Sequence, residues 1–214
     1  MFPKIFYWLV KNAYFLFFKF YNRLSVLHED RIPRDRPLIL ASNHCSNFDP
    51  PVVGSVFKER MRYIAKASLF SPALFGYALK VLGAVPLSRE DETKAAMVLK
   101  MFLRFLEGGE NILIFPEGKR SPDGTLQPLE GGVALLSLKS GAQIIPVHIK
   151  GTFSALPAGK TLPRPVKIVM NYGFPIDPGK VTPGLSEKES RNEILERLTS
   201  EYRRLEAESC ERPG

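Results

Sequence analysis

A histidine and an aspartate five residues apart, His44 and Asp49, stand in the run Asn43-His44-Cys45-Ser46-Asn47-Phe48-Asp49-Pro50-Pro51. The two residue types suit general-base chemistry. A carboxylate that keeps one imidazole nitrogen protonated leaves the other nitrogen free to take a proton near neutral pH. On a regular helix, residues five apart turn about 140° away from each other, so the pair meets only across a turn. Pro50 and Pro51 give a reason for one, because proline suits the first positions of a helix and pushes its predecessor out of the helical region. Each residue also has a plain structural reading. Asp49 before proline fits an ordinary helix N-cap, and His44 fits a hydrogen-bonded core histidine.

Three further segments carry chemistry-bearing side chains. Phe115-Pro116-Glu117-Gly118-Lys119-Arg120-Ser121 combines two cations, a carboxylate and a backbone-freeing glycine, the makings of a phosphate cradle or of a solvated loop. Gly83-Ala84-Val85-Pro86-Leu87-Ser88-Arg89 ends an apolar run with an arginine, and Ile144-Ile145-Pro146-Val147 sets a proline inside one, which points to an edge strand or a bulge. Cys45 beside His44 suggests a thiol nucleophile, but adjacent residues generally point apart and a lone cysteine is usually inert. The chain has no Gly-x-Ser-x-Gly, no metal-spaced histidine pair and no Gly-x-Gly-x-x-Gly. Gly159-Lys160-Thr161 resembles the end of a phosphate loop, yet the glycine needed five residues earlier is Ser154.

The elements around these residues set their positions. Leu38–Ser42, Tyr63–Ala65, Ala84–Leu87, Asn111–Phe115 and Ile144–Ile149 read as strands. Val52–Phe57, Pro72–Leu82, Asp91–Glu107 and Val133–Lys139 read as helices, the third closed by Gly108-Gly109. Such alternation predicts an α/β fold with a largely parallel or mixed sheet covered by helices on both faces. Val166–Tyr172 adds a late, antiparallel strand and Glu187–Glu208 a charged surface helix. The candidate residues then all follow strands, at the carboxyl ends where open α/β sheets bind ligands.

With 214 residues, 44% of them hydrophobic, the chain has enough material for one core. Thirty Lys and Arg against 22 Asp and Glu give +8, which favours an anionic partner: nucleic acid, an anionic bilayer or a phosphorylated substrate. Nucleic acid is suggested by charge alone, since no aromatic-basic recognition motif is present. Two cysteines argue against a disulfide scaffold or a zinc site and for a cytoplasmic setting. The first 21 residues hold ten of the 23 aromatic side chains, interrupted by Lys4, Lys11, Asn12 and Lys19. These interruptions argue against a transmembrane span, which wants about 20 apolar residues in succession. On a helical wheel Lys4, Lys11, Asn12, Lys19, Asn22 and Arg23 share an arc of roughly 120°, with Trp8 and Phe15 inside it. The expectation is an amphipathic membrane-surface helix over residues 1–27, a linker over 28–37 and a catalytic domain over 38–214; an ordinary helix docked on the core is the alternative.

Taken together and in order, these segments resemble the 1-acyl-glycerol-3-phosphate acyltransferase family. Asn43, His44 and Asp49 match its first motif, a His-x4-Asp signature, and Gly83 to Arg89 its second. Phe115 to Ser121 matches Phe-Pro-Glu-Gly-x-Arg-Ser throughout, and Ile145-Pro146-Val147 matches the fourth. Lys66-Ala67-Ser68-Leu69-Phe70 is similar to a family segment whose lysine faces the substrate. The resemblance covers about Leu38 to Gly151. It departs at Glu130-Gly131-Gly132, where many members carry a basic residue, and this bears on substrate preference there. The resemblance implies transfer of an acyl group from acyl-coenzyme A or acyl carrier protein to the sn-2 hydroxyl of 1-acyl-glycerol-3-phosphate (lysophosphatidic acid), giving phosphatidic acid, with no bound cofactor and no metal. It implies His44 as general base, Asp49 as its partner, and Asn43, Lys66, Arg89, Glu117, Gly118 and Arg120 around the substrate. Another lysophospholipid or a glycolipid as acceptor, and a non-catalytic anionic-lipid-binding protein, stay open. The expected location is the cytoplasmic face of the cell membrane, peripheral or monotopic.

Overall fold

The computed structural model describes residues 2–71, 73–87, 95–157 and 159–211. Helix α1 (Phe2–Tyr21) leads into a short strand β1 (Ser25–Leu27), a turn of 3-10 helix at Glu29–Arg31, and strand β2 (Leu38–Ser42). There follow α2 (Asp49–Val56), β3 (Met61–Lys66), α3 (Ala73–Val81), β4 (Ala84–Leu87), α4 (Ala95–Glu107), β5 (Asn111–Ile114), α5 (Gly132–Ser140) and β6 (Gln143–Lys150). A single helical turn at Thr152–Ala155, β7 (Val169–Tyr172) and α6 (Glu187–Glu211) complete the order. The helix expected from Asp91 is seen from Ala95; residues 91–94 lie outside the described residues.

All seven strands join one sheet in the order β1-β7-β6-β2-β5-β3-β4. Strands β6, β2, β5, β3 and β4 run parallel, and β7 is antiparallel to β6, as expected of the late strand. Strand β2 is buried along its whole length, because helices cover both faces, and its side chains are apolar as far as the terminal Ser42. Its period-two alternation feeds two cores. Leu38 and Leu40 pack with Phe18, Val52, Val53 and Phe57 under α1 and α2, while Ile39 and Ala41 pack with Phe102, Leu136, Ile194, Leu198 and Tyr202 under α4, α5 and α6.

Pro146 lies in an interior strand, not at an edge. Its missing N–H falls where residues 145 and 146 of β6 face 173 to 175 across the antiparallel pair, a one-residue bulge between the Ile144–Ile176 bridge and the Val147–Tyr172 pair.

The segments expected to be anchor and linker are more tightly joined to the domain than their composition suggests. Ser25–Leu27 is the edge strand paired with β7, and Leu24 is buried just before it. Residues 28–37 are tied to the domain at several points: Ile32 is buried, Arg31 donates to the Tyr172 carbonyl at 2.9 Å, and Arg34 pairs with both Glu29 and Glu59.

Helix α1 docks through Tyr14 and Phe18, with Asn22 just after it, and Lys11 turns inward with them. Its ammonium donates to the Phe57 carbonyl and, at 3.0 Å, to that of Lys58, neutralising the C-terminal end of α2. Burial holds the Lys11 ammonium below the ordinary lysine value. Asn22 donates to the carbonyls of Arg164 and Val166. The expected polar arc is therefore split, with Lys11 and Asn22 facing the protein. Ile5, Trp8, Leu9, Leu16 and Phe20 are left facing outward, Phe20 at 77% exposure. No helix among the described residues is long and apolar enough to cross a membrane.

Docking through one face has a mutational signature. Phe18→Ala, at a fully buried site, should cost about 3–5 kcal/mol of stability. Phe20→Ala should change it by less than about 0.5 kcal/mol. Urea unfolding midpoints of the two variants check this; equal losses would mean that α1 packs through another face.

Candidate active site

Strand β2 ends at Ser42, and Asn43 controls how the chain leaves the sheet. Its amide nitrogen donates to the Ile149 carbonyl at 2.9 Å and its amide oxygen accepts from the Ile149 N–H at 2.7 Å. The side chain thus replaces one rung of the ladder to β6. Asn43 is buried with both polar ends engaged on backbone, and this fixes where the chain turns into His44.

His44 and Asp49 meet across the turn. The Nδ1···Oδ2 distance is 2.8 Å, and the same carboxylate oxygen accepts the N–H groups of Cys45 and Ser46 at 2.7 Å each. Asp49 is fully buried as the first residue of α2 and does not cap that helix. The reason is local: Pro50 and Pro51 have no N–H to offer, and the Val52 N–H goes to the Phe48 carbonyl at 2.9 Å. The carboxylate is left to turn back into the loop. Because it can only accept, the proton between them sits on Nδ1, a tautomer assigned from this network, and Nε2 carries the free lone pair. Phe115 stacks on the imidazole with centroids 4.0 Å apart, and the His44 side chain keeps 19% of its surface exposed.

The loop after β5 grips the backbone of His44 at both ends. Glu117 accepts the His44 N–H on Oε1 at 2.6 Å and the Gln127 N–H on Oε2 at 2.9 Å, and the Ser121 N–H donates to the His44 carbonyl at 2.7 Å. Burial pushes the Glu117 carboxyl up from the ordinary carboxylate value, opposed by those two backbone donors. Glu117 therefore braces the His44 loop through its backbone. Gly118 takes φ +68°, a turn open chiefly to glycine, and a Cβ there would meet the Glu130 side chain at 3.3 Å.

Cations line the carboxyl ends of neighbouring strands. Arg120 reaches over the turn to Asn47, Nη1 to Oδ1 2.9 Å, beside the His44 loop. Lys66 is exposed as the last residue of β3, two strands from β2. Arg89 lies outside the described residues, two positions beyond the end of β4. Of the expected set, the structure joins His44, Asp49, Asn43, Glu117, Gly118 and Arg120 into one cluster and leaves Lys66 on its flank. Sequence reasoning missed Ser121 and Gln127, which act through backbone N–H groups that carry no residue signature, and the stacking role of Phe115.

Cys45 is buried with Sγ 3.3 Å from Thr152 Oγ1, and burial, helped by the Asp49 charge, pushes its thiol up to about 12. A thiol in that setting forms little thiolate near neutral pH. Among the described residues, no group of three or more His, Cys, Asp or Glu could hold a metal ion.

Residues 23–150 match a family model described as Acyltransferase. The chloroplastic 1-acyl-sn-glycerol-3-phosphate acyltransferases of Brassica napus and Arabidopsis thaliana are 31% and 32% identical over 139 residues, 65% of this chain. The chain spans less than two fifths of those plant proteins, 38% and 37% of their lengths. The crystal structure of the 1-acyl-sn-glycerophosphate (LPA) acyltransferase PlsC from Thermotoga maritima superposes with a TM-score of 0.76 at 28% identity, covering 96% of this chain and 80% of that one.

The buried thiol gives a direct check on the site. In a Cys210→Ser background, Cys45 should stay unreactive toward Ellman's reagent at pH 8 until denaturant is added, a rate contrast of at least about 10³ set by its small thiolate fraction and its burial. Rapid native-state reaction would mean that the loop opens and that a thiol nucleophile is accessible.

Proposed function

Because the chain belongs to the Acyltransferase family, we propose that it transfers a fatty acyl group from an acyl-coenzyme A or acyl-carrier-protein thioester to the free sn-2 hydroxyl of 1-acyl-glycerol-3-phosphate, giving phosphatidic acid. The observation that carries this reading is the 2.8 Å His44–Asp49 contact at a strand's carboxyl end, with Nε2 unengaged by Asp49 and cations on the flank. In this mechanism His44 Nε2 takes the proton of the acceptor hydroxyl as its oxygen attacks the thioester carbonyl. The tetrahedral intermediate collapses, the carbon–sulfur bond breaks, and the departing thiolate receives the proton from His44. Asp49 holds the tautomer and offsets the imidazolium charge that forms in between. No acyl-enzyme is needed, in keeping with the buried Cys45 thiol. Arg120, Lys66 and Arg89 hold the acceptor phosphate, where charge-assisted hydrogen bonds are strongest.

The acceptor lives in a bilayer, so the protein must reach one. We read the outward face of α1, with Ile5, Trp8, Leu9, Leu16 and Phe20 exposed, as a peripheral contact with an anionic membrane surface on its cytoplasmic side. Removing residues 1–27 would not isolate this contact, because it would also strip Phe18, Leu24 and strand β1 from the domain.

His44→Ala should lower turnover at least about 10²-fold with little change in unfolding midpoint. Purified protein offered lysophosphatidic acid and both thioester donors, read by product mass, makes the measurement; retention of more than about a tenth of the activity would sink the base assignment. Arg120→Ala should weaken use of phosphate-bearing acceptors about tenfold, roughly 1.4 kcal/mol, and spare an acceptor without phosphate. Equal losses on both acceptors would make Arg120 a structural residue.

A further inference from the structure

Leu162, at 81% exposure, is more exposed than even Phe20 on α1. It sits in the loop Leu156-Pro157-Ala158-Gly159-Lys160-Thr161-Leu162-Pro163-Arg164-Pro165-Val166-Lys167, between β6 and β7. Such a side chain at a tip is ordinary when the loop is free to fold it away. Here it is strapped in place. Tyr21 donates its hydroxyl to the Pro163 carbonyl at 2.9 Å, and Arg23 Nη2 donates to that of Pro165 at 3.2 Å. Asn22 holds the carbonyls of Arg164 and Val166, and the Arg164 N–H donates to the Ala155 carbonyl at 2.8 Å. The backbone that follows Leu162 is therefore tied to the C-terminal turn of α1, where Phe17, Phe20 and Tyr21 are also exposed.

The charge around it has one sign. Lys19, Arg23, Lys160 and Arg164 are exposed near the tip. No Asp or Glu occurs from residue 131 to 176, nor before Glu29. The opposite face of the sheet carries α6, with eight glutamates in its 25 residues. The backbone suits a medium poor in water as well: Pro163 and Pro165 flank Arg164 and have no N–H to leave unsatisfied. The root of the loop touches the catalytic turn, since Ser46 Oγ donates to the Leu156 carbonyl at 2.8 Å.

We propose that the loop segment 159–167 is a second membrane-contacting element, which seats Leu162 at the headgroup–acyl boundary of an anionic bilayer beside α1. The inference rests on the reading that the outward face of α1 meets a membrane. It adds that contact is made at two points, so the catalytic turn, tied to both, is held at a set angle to the surface. Phe48 of that turn packs edge-on against Phe17 and Phe18 of α1, with centroids 6.1 and 5.2 Å apart.

Trp8 is the chain's single tryptophan, which allows each element to be read separately. The unaltered protein reports on α1, and Trp8→Phe/Leu162→Trp reports on the loop. Both are mixed with phosphatidylcholine vesicles, with and without phosphatidylglycerol, carrying brominated acyl chains. The expected result is a blue shift and about twofold or greater quenching of both reporters on phosphatidylglycerol vesicles, and little on phosphatidylcholine alone. Leu162→Asp should weaken binding to the anionic vesicles at least about tenfold without lowering the unfolding midpoint. Quenching of the α1 reporter without the loop reporter would overturn the inference and leave the α1 reading standing. Failure of both would overturn the two together. A loop reporter that shifts with added acyl carrier protein, and not with vesicles, would assign the patch to an acidic protein and overturn the inference as well.

Discussion

The structure turns on one oxygen atom. Oδ2 of Asp49 lies in a fully buried carboxylate and gathers three donors: the His44 ring and the N–H groups of Cys45 and Ser46. An ionised carboxylate away from water is costly unless such donors surround it. The turn between β2 and α2 is shaped to bring them, and the two prolines keep the helix from competing for the charge. A second buried carboxylate, Glu117, repeats the device from the neighbouring strand and holds the backbone of the same histidine. Two strand ends are thereby locked to each other, Asp49 holding the His44 ring and two backbone N–H groups and Glu117 holding the N–H groups of His44 and Gln127. The imidazole gains its orientation from that lock, with Phe115 closing one face.

Much of this was legible in sequence. Buried strands announce themselves as apolar runs because both faces of the sheet are covered, and the α/β class followed from their alternation with helices. The His44–Asp49 pair was legible from spacing and the adjacent prolines. What escaped was anything decided by a distant partner. The N–H groups of His44 and Gln127 that occupy Glu117, and the Ile149 backbone that pairs with Asn43, could not be read from the sequence. Neither partner is marked by its side chain. The order of the strands was hidden for the same reason, since pairing depends on backbone and register.

The first helix teaches a related lesson about periodicity. A helical wheel gathers Lys11 and Asn22 with the other polar residues of α1, but it cannot tell which arc faces the protein. The end of α2 decides, because its terminal carbonyls need donors and Lys11 is long enough to reach them. With that face used for docking, alongside Tyr14 and Phe18, the residues Ile5, Trp8, Leu9, Leu16 and Phe20 are turned to the outside.

Strand β1 has a consequence for the order in which the molecule can assemble. It precedes every other strand in the chain, yet its sheet neighbour is β7, the last to be made. While the polypeptide is being synthesised, β1 and the helix before it have no place to pair, and the central strands β2 and β5 can associate well before that edge is closed. Loop-closure entropy makes such a distant pairing slow. The aromatic N-terminal segment thus waits for its sheet neighbour until β7 has been made.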